Sequence, residues 1–268
     1  YKIFKKMDGF PVTVRLLDPP LHEFINIQRK EMENLANDMG LSLKLVEERV
    51  ESLKEANPML GHRGCRLGVS YPEVTSMQAH AIIGAAVRLK KEGKNPKIEL
   101  MIPLVSNLKE FLNQKKIVLE AKNEIIGKSG LKINLKIGTM IEVPRACLVA
   151  EDIAKEADFF SFGTNDLTQT TFGFSRDDTG TFFPHYFNDE ILLVDPFEEI
   201  DRKGVGRLMD MAIKDARGVK NNISIGICGE HGGEPKSIEF CKMLGLDYVS
   251  CSPYRVPIAR LAAAQIEI

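Results

Sequence analysis

The chain has 268 residues, with 36 Lys and Arg against 37 Asp and Glu, which gives a formal net charge of −1. This balance argues against a nucleic acid or an anionic membrane as partner, since both select strongly basic proteins. No apolar run reaches the ~20 residues that cross a bilayer, and the first residues do not resemble a secretory signal.

The N-terminal part alternates between strand-like and helix-like segments. "PVTVRLLDPP" (11–20) is strand-like and is ended by two prolines. Residues 22–56 carry many charges with apolar residues at helical spacing, and they predict two helices separated near Gly40. A further helix is predicted over 72–93. Its inner stripe is predicted to consist of Met77, Ala81, Ile82, Ala85, Ala86 and Leu89.

The remainder of the chain repeats the same alternation. Further strands are predicted at 97–105, 133–144, the start of 158–171, 223–229 and 248–253. Helices are predicted at 107–126, beginning from an Asn cap, and at 145–157, 198–217, 234–243 and 256–265. A long polar insertion is predicted at 173–197.

Strands that alternate with helices predict an α/β fold whose strands pair in parallel. Two architectures fit this series, namely a doubly wound open sheet and a (β/α)8 TIM-type barrel of typically ~250 residues. A dinucleotide-binding G-x-G-x-x-G does not follow the first strand. We favour the barrel, with roughly its first two strands outside the sequence, and keep an open sheet as the alternative.

Polar and charged residues collect where the predicted strands end. The carboxyl ends of parallel strands meet at one edge, which is where ligands bind in such folds. Two acids stand out there, Glu142 and Asp166. Each alone could cap the following helix. Together they suit Mg²⁺, a hard cation that prefers oxygen ligands.

The turn "GTND" explains why a buried strand would end in polar groups. Gly163 has no side chain where a ligand must approach, and Thr164 and Asn165 offer backbone and amide groups to a carboxylate. The N-terminal amides of the helix after Asp166 would add a favourable potential for an anion.

Two arginines are candidates for phosphate binding. Arg15 ends the first strand among apolar neighbours, and Arg63 lies in "GHRGCRL". The planar guanidinium matches phosphate and carboxylate geometry, although most arginines are solvated or form surface ion pairs. Arg66 is interpreted as structural.

The chain contains five scattered cysteines and no C-x-x-C pair. This usage predicts reduced thiols in the cytoplasm or an organelle matrix rather than disulfides or a zinc site. Cys228 differs from the other four, which we interpret as buried apolar residues, because it ends its strand directly before Gly229 and Glu230.

Three motifs carry a resemblance to a known family. "GTMIEVPRA", "FFSFGTNDLTQ" and "GICGEHGG", in this order, resemble the phosphoenolpyruvate-utilising enzymes. This family includes the pyruvate phosphate dikinases, phosphoenolpyruvate synthases and enzyme I of the sugar phosphotransferase system. "VRLLDPPLHEF" and "NPMLGHRGCRLG" are most similar to the dikinase branch, and the resemblance covers essentially the whole chain.

The resemblance implies that residues 1–268 form the C-terminal phosphoenolpyruvate/pyruvate-binding barrel domain, shortened at its N-terminal side. The family's phosphohistidine and ATP-grasp domains have no counterpart in this sequence. The family pattern assigns Glu142 and Asp166 to Mg²⁺, and Arg15 and Arg63 to the phosphoryl group. Cys228 would exchange a proton with carbon three of pyruvate, for which we expect a thiol pKa near neutrality.

The implied reaction interconverts ATP, phosphate and pyruvate with AMP, diphosphate and phosphoenolpyruvate. The phosphoryl group would arrive on a histidine of a swinging domain of the same enzyme, and the enzyme would be a homodimer. Alternatives are the barrel of a phosphoenolpyruvate synthase or of enzyme I, and a non-catalytic substrate-binding or dimerisation module. We expect residues 1–268 to be inactive on their own.

Overall fold

The computed structural model describes residues 1–25, 27–55 and 57–266. The strands are β1 (Pro11–Arg15), β2 (Lys97–Ile102), β3 (Leu135–Ile141), β4 (Phe159–Gly163), β5 (Ser224–Cys228) and β6 (Tyr248–Val249). In the described part of the chain, no helix combines the length and the apolarity that crossing a membrane requires.

In the part of the chain that the structure describes, fourteen α-helices surround or connect these strands. They are α1 (Lys2–Lys6), α2 (Leu21–Ile25), α3 (Arg29–Met39), α4 (Leu43–Ser52), α5 (Gly64–Ser70), α6 (Pro72–Lys91), α7 (Leu108–Ser129), α8 (Pro144–Leu148), α9 (Ala150–Glu156), α10 (Thr164–Phe172), α11 (Phe183–Asn188), α12 (Val205–Val219), α13 (Pro235–Met243) and α14 (Val256–Gln265).

The six strands form one parallel sheet in the order β1-β2-β3-β4-β5-β6. A doubly wound sheet reverses its strand order at a switch point, whereas a (β/α)8 barrel adds each strand beside the previous one. The sequential order therefore confirms the barrel-type α/β fold. Within the described residues the sheet is a six-stranded half-barrel, with β1 and β6 at its two edges.

The two faces of the sheet have different roles, because successive side chains point to opposite sides. On one face, Ile98, Leu100 and Ile102 are almost completely buried in the main core, which the sheet shares with the helices. On the other face, Met101 and Met140 pack with Phe159 in a separate small cluster, and both methionines line a cavity. The alternation thus separates the packing face from the face that holds the candidate site.

The sequence correctly predicts where α7 begins and where α3 ends. Helix α7 begins after Asn107, whose Oδ1 accepts hydrogen bonds from the N–H groups of Lys109 at 3.0 Å and Glu110 at 3.1 Å. Helix α3 ends at Gly40, which has a left-handed φ of 65°. The predicted cap and break are therefore both confirmed.

The inner stripe predicted for α6 is partly wrong. Met77 is 61% exposed and Ala81 is also exposed, whereas Ala79 and Ile83 are completely buried. Helix α6 carries small apolar residues on more than one side, so spacing alone does not select the buried side. The packing of α6 against α7 determines which side is buried.

The segment 173–197 is not simply polar, and the helix predicted from residue 198 begins only at Val205. Asp201 Oδ2 accepts hydrogen bonds from the N–H groups of Gly204 at 2.9 Å and Val205 at 3.2 Å, so a turn precedes α12. The segment contains α11 and most of an aromatic cluster formed by Phe172, Phe174, Phe182, Phe183, Tyr186, Phe187 and Phe197.

Candidate functional site

A cavity of about 410 Å³ opens at the carboxyl edge of the sheet. All six strands, or the segments that directly follow them, contribute residues to it, because the strands end side by side. Seven of the eight sequence-predicted site residues line this cavity, namely Arg15, Glu142, Gly163, Thr164, Asn165, Asp166 and Cys228. The eighth, Arg63, lines an adjoining cleft of about 320 Å³ that shares Arg15, Asn165 and Asp166 with the cavity.

Three carboxylates meet beside the cavity. Asp18, Glu142 and Asp166, which we call the carboxylate cluster, have oxygens that lie within 4.8 Å of one another. Asp18 stands three residues beyond β1, and the sequence-based assignment to metal omitted it although it follows a strand end. Asp18 is 124 and 148 positions away from Glu142 and Asp166 in the chain, so only the fold brings it close to them.

The carboxylate cluster fits a hard divalent cation. All three residues offer oxygen atoms, which Mg²⁺ prefers. Asp18 Oδ1 is buried and has no hydrogen-bond partner within the described residues, so it has a lone pair free for an ion. The two acids predicted from the sequence, Glu142 and Asp166, would hold the cation with Asp18 beside them.

Helix capping does not explain either predicted acid. The N-cap residue of α8 is Val143, and that of α10 is Gly163; neither makes a side-chain cap hydrogen bond. Glu142 lies just before the cap of α8, and Asp166 lies inside the first turn of α10. The capping interpretation is therefore wrong for both residues.

Arg63 is almost completely buried and connects two members of the carboxylate cluster. Its Nη1 donates to Asp166 Oδ1 at 2.8 Å, and its Nη2 donates to Asp18 Oδ2 at 2.7 Å and to Asp166 Oδ2 at 3.1 Å. Burial disfavours its charge, but Asp166 and Asp18 outweigh burial and raise the pKa of Arg63 above its ordinary value. Arg63 therefore remains a cation that neutralises and orients these carboxylates.

Arg15 is the more accessible of the two arginines. Its Nη1 donates to Asp18 Oδ2 at 2.8 Å, while 41% of its side chain remains exposed at the cavity. A guanidinium with part of its donor set free can bind an anionic group directly. Arg66, by contrast, donates to the carbonyl oxygens of Leu60 and Gly61, which agrees with its structural interpretation.

Glu142 is the most deeply buried acid of the site, with 1% of its surface exposed. Its Oε1 accepts a hydrogen bond from the N–H of Leu104 at 2.6 Å. Burial, and then the negative charges of Asp18 and Asp166, raise the pKa of Glu142 well above its ordinary value. A bound divalent cation would counteract both causes by supplying positive charge.

Gly163 and Thr164 have further contacts that the sequence did not reveal. A Cβ on Gly163 would lie 2.5 Å from Glu142 Oε2, so the missing side chain makes room for this carboxylate as well as for any ligand. The Thr164 side chain lies 2.6 Å from Nδ1 of the buried His231. Only the backbone of Thr164 is therefore left for a ligand, while Asn165 Oδ1 has no partner within the described residues.

Cys228 lies at the cavity wall. Its Sγ lies 3.6 Å from the carbonyl oxygen of Phe162. Burial raises the pKa of Cys228 above its ordinary value, which corrects the expected pKa near neutrality. A thiol that keeps its proton at neutral pH is suited to donate it. All five cysteines are free, as their sequence distribution predicted.

The chain as a whole is similar to known proteins. The sequence profile described as "PEP-utilising enzyme, PEP-binding domain" matches residues 1–268. The chain is 54% identical to a chloroplastic pyruvate, phosphate dikinase of Flaveria pringlei over 99% of its length, covering 28% of that protein. It is 53% identical to a pyruvate, phosphate dikinase of Clostridium symbiosum over 98% of its length, covering 30% of that protein.

The chain therefore spans less than a third of the length of these curated relatives. Among solved structures, a pyruvate kinase from Cryptosporidium parvum overlaps 70% of this chain and 34% of its own, with 13% identity and a TM-score of 0.46.

Proposed function

The chain belongs to the PEP-utilising enzymes, as their PEP-binding domain, and on this basis we propose that it binds phosphoenolpyruvate and pyruvate as part of a pyruvate phosphate dikinase. The whole enzyme would interconvert ATP, phosphate and pyruvate with AMP, diphosphate and phosphoenolpyruvate. Residues 1–268 would contribute the half of the reaction in which a phosphoryl group moves to or from pyruvate.

One observation carries the proposal: a single cavity holds the chemical groups that this half-reaction needs. It combines Arg15, Asn165, the acids Glu142 and Asp166, and the thiol of Cys228. Anion-binding groups, oxygen ligands for a cation and a proton donor are the three requirements for moving between an enolate and pyruvate.

The acids and arginines would prepare the site for an anionic substrate. Glu142 and Asp166 would hold Mg²⁺, with Asp18 at the same ion or at a water bound to it. When bound, Mg²⁺ would stabilise the negative charge of the enolate of pyruvate. Arg15 and Arg63 would hold the phosphoryl group, and Arg63 would also balance the charge of the carboxylate cluster.

Gly163, Thr164 and Asn165 would hold the carboxylate of the substrate at the start of α10. The backbone N–H groups at a helix N-terminus have no partner inside the helix and favour an anion. The amide of Asn165 lies at the same edge of the cavity and can donate to a carboxylate oxygen.

Cys228 would transfer the proton at carbon three. In the direction that consumes phosphoenolpyruvate, the phosphoryl group leaves for a histidine on another domain, and Cys228 donates its Sγ proton to the methylene carbon. Pyruvate is the product. In the reverse direction the thiolate form of Cys228 removes a methyl proton from pyruvate, and the oxygen of the resulting enolate attacks the phosphorus of the phosphohistidine, which releases the histidine.

Assembly and the nature of the whole enzyme belong to the same proposal. The family resemblance favours a homodimer and a swinging phosphohistidine domain. Phosphoenolpyruvate synthase, enzyme I and a non-catalytic binding module remain the alternatives. The identities of 54% and 53% to dikinases over nearly the whole chain favour a dikinase.

Calorimetry of oxalate binding tests the site. Oxalate resembles the enolate of pyruvate in shape and charge, and it should bind only when Mg²⁺ is present. The double variant Glu142→Gln, Asp166→Asn should lower the Mg²⁺-dependent oxalate affinity by about 100-fold or more, because it removes two charged ligands. The matched control Glu151→Gln, Asp152→Asn changes two exposed acids of α9 and should bind like the parent. Unchanged affinity in the first variant would refute the site.

A further inference from the structure

Leu104, two residues beyond β2, has a backbone conformation that its side chain disfavours. Its φ is 60°, and Glu190 is the only other non-glycine residue in the described part of the chain with a positive φ. Leucine pays about 1–2 kcal/mol for this left-handed region, because its Cβ crowds the backbone and it has no polar group to compensate. Leu104 is also buried, with 3% exposed, so the conformation cannot be assigned to a loose surface loop.

The left-handed turn delivers one hydrogen bond to the candidate site. It directs the N–H of Leu104 to Glu142 Oε1 at 2.6 Å, in a buried position. Hydrogen bonds to a carboxylate are among the strong ones in proteins. Strained backbone is retained where the surrounding structure enforces it and often where function needs it.

The beginning of α5 holds the Leu104 turn in place. Cys65 Sγ donates to the carbonyl oxygen of Leu104 at 3.2 Å, and the N–H of Cys65 donates to the carbonyl oxygen of Pro103 at 3.2 Å. A Cβ on Gly64 would lie 2.7 Å from Leu104 Cβ, so glycine is required for this contact. Arg63 directly precedes Gly64, so the same segment orients Asp18 and Asp166 through its guanidinium and Glu142 through Leu104.

The opposite side of the Glu142 carboxylate is confined as well. Gly163 lies so close that an added Cβ would be 2.5 Å from Glu142 Oε2 and 2.6 Å from Met140 Sδ. Within the described residues no hydrogen bond reaches Oε2. The carboxylate is therefore held by one oxygen and leaves the other available to the cavity.

We propose that Leu104 is a positioning residue, whose strained backbone N–H fixes Glu142 so that Oε2 is presented to a cation in the cavity. The inference deepens the proposed function and rests on it for the cation. The side chain of Leu104 is buried, while its backbone N–H orients the carboxylate of Glu142.

The direct test replaces the amide of Leu104 by an ester in the full chain, using the α-hydroxy acid that corresponds to leucine. This change removes the N–H and keeps the side chain. We expect the affinity for Mn²⁺, measured by electron paramagnetic resonance, to fall by about 10- to 100-fold, the usual cost of losing a partner of a metal ligand. The matched control is the same ester at Leu100, a buried residue of β2 whose side chain belongs to the main core on the other face of the sheet.

A side-chain variant separates the backbone from the packing. Asn tolerates the left-handed region, so Leu104→Asn keeps the N–H in place and removes the apolar side chain. It should be less stable than the parent, yet bind Mn²⁺ within about threefold of the parent value, far from the 10- to 100-fold loss of the ester. A loss as large as that of the ester would overturn the assignment to the backbone.

An infrared measurement gives a readout without any metal. The carboxyl band of Glu142, identified by its absence in Glu142→Gln, should shift in the Leu104 ester and stay in place in the Leu100 ester. An unshifted band, or equal Mn²⁺ affinity in both esters, would refute the positioning role. A shifted band in a chain that does not bind Mn²⁺ even as the parent would support the positioning and refute the proposed metal function instead.

Discussion

At the scale of single residues, the site is a nearly balanced group of charges, most of them buried. Three carboxylates and two arginines lie together, and three negative with two positive charges sum to −1 when all are ionised. Buried charges are tolerated only when they are paired, and the bidentate contact of Arg63 provides such pairing. A divalent cation would change the sum to +1, which would attract an anionic substrate.

Cys228 gives the residue-scale prediction. Cys228→Ser should slow the exchange of pyruvate methyl protons with solvent by about 100-fold or more, because a serine hydroxyl is a much weaker acid than a thiol. Proton magnetic resonance of pyruvate in D₂O, with Mg²⁺ and the full enzyme, measures this exchange. Mg²⁺-dependent oxalate binding should stay within about twofold of the parent, since that role needs no proton donor.

The matched control for this prediction is Cys251→Ser. Cys251 is also a partly buried free thiol, but it packs beside Ile238 and Ala259 away from the cavity. Its exchange rate should equal that of the parent. Parent-like exchange in Cys228→Ser would mean that another group moves the proton.

At the scale of helices and strands, two glycines differ in how much space a side chain would have. Gly138 is in the middle of β3, and a Cβ there would lie 2.4 Å from the carbonyl oxygen of Phe159 on β4. Gly127 is exposed near the end of α7, where a Cβ would meet nothing within 4 Å. The same residue type therefore serves close packing in one element and is dispensable in the other.

This contrast predicts opposite effects for the same substitution. Gly138→Ala should lower the free energy of unfolding by about 1–3 kcal/mol, because the backbone or the aromatic ring of Phe159 must move to accept the new methyl group. Gly127→Ala should raise it by about 0.5–1 kcal/mol, since alanine loses less chain entropy in a helix. Urea denaturation of the two variants beside the parent measures both. Changes of equal sign would contradict the role of the β3–β4 contact.

At the scale of the whole molecule, the buried His231 connects distant parts of the chain. Its Nε2 lies 3.0 Å from the carbonyl oxygen of Pro196, which can only accept, so Nε2 carries the proton. Nδ1 then accepts from the Thr164 hydroxyl at 2.6 Å. One neutral imidazole thus ties the segment after β5 to α10 and to the 173–197 segment.

His231 therefore predicts how stability depends on pH. Burial lowers the pKa of His231 below its ordinary value, so below about pH 6.5 the unfolded chain binds a proton that the folded chain resists. The contribution of His231 to the free energy of unfolding is complete above that pH, and it is lost as the pH falls toward the pKa that His231 has in the folded chain. The parent should lose up to about 1.4 kcal/mol of unfolding free energy per pH unit through this residue.

Denaturation of His231→Gln between pH 5 and pH 7 tests this dependence. Glutamine retains a donor and an acceptor but does not titrate. The variant should therefore have a lower free energy of unfolding at pH 7, and this free energy should change less between pH 7 and pH 5 than it does in the parent. His185→Gln, which changes an exposed histidine of α11, is the control and should keep the slope of the parent. An unchanged slope in His231→Gln would exclude His231 as the source.

Much of the fold and part of the site follow from local patterns in the sequence. Strand–helix alternation predicts the parallel sheet, because parallel neighbours need a crossover between them. The site residues Arg15, Glu142, Asp166 and Cys228 could be located because each stands at the end of a strand or within three residues of it, and such ends converge in any parallel sheet. Asn107 and Gly40 could be identified because caps act within a few residues.

The remaining features depend on contacts between residues that are distant in the chain. Arg63 and Asp166 are 103 positions apart, so no local pattern connects them. The strained turn at Leu104 and the close contact of Gly163 with Glu142 exist only because neighbouring strands and α5 press these groups together. Sequence periodicity determines which residues can reach the cavity, but strand order and helix packing decide which oxygen, nitrogen or bare Cα meets which partner there.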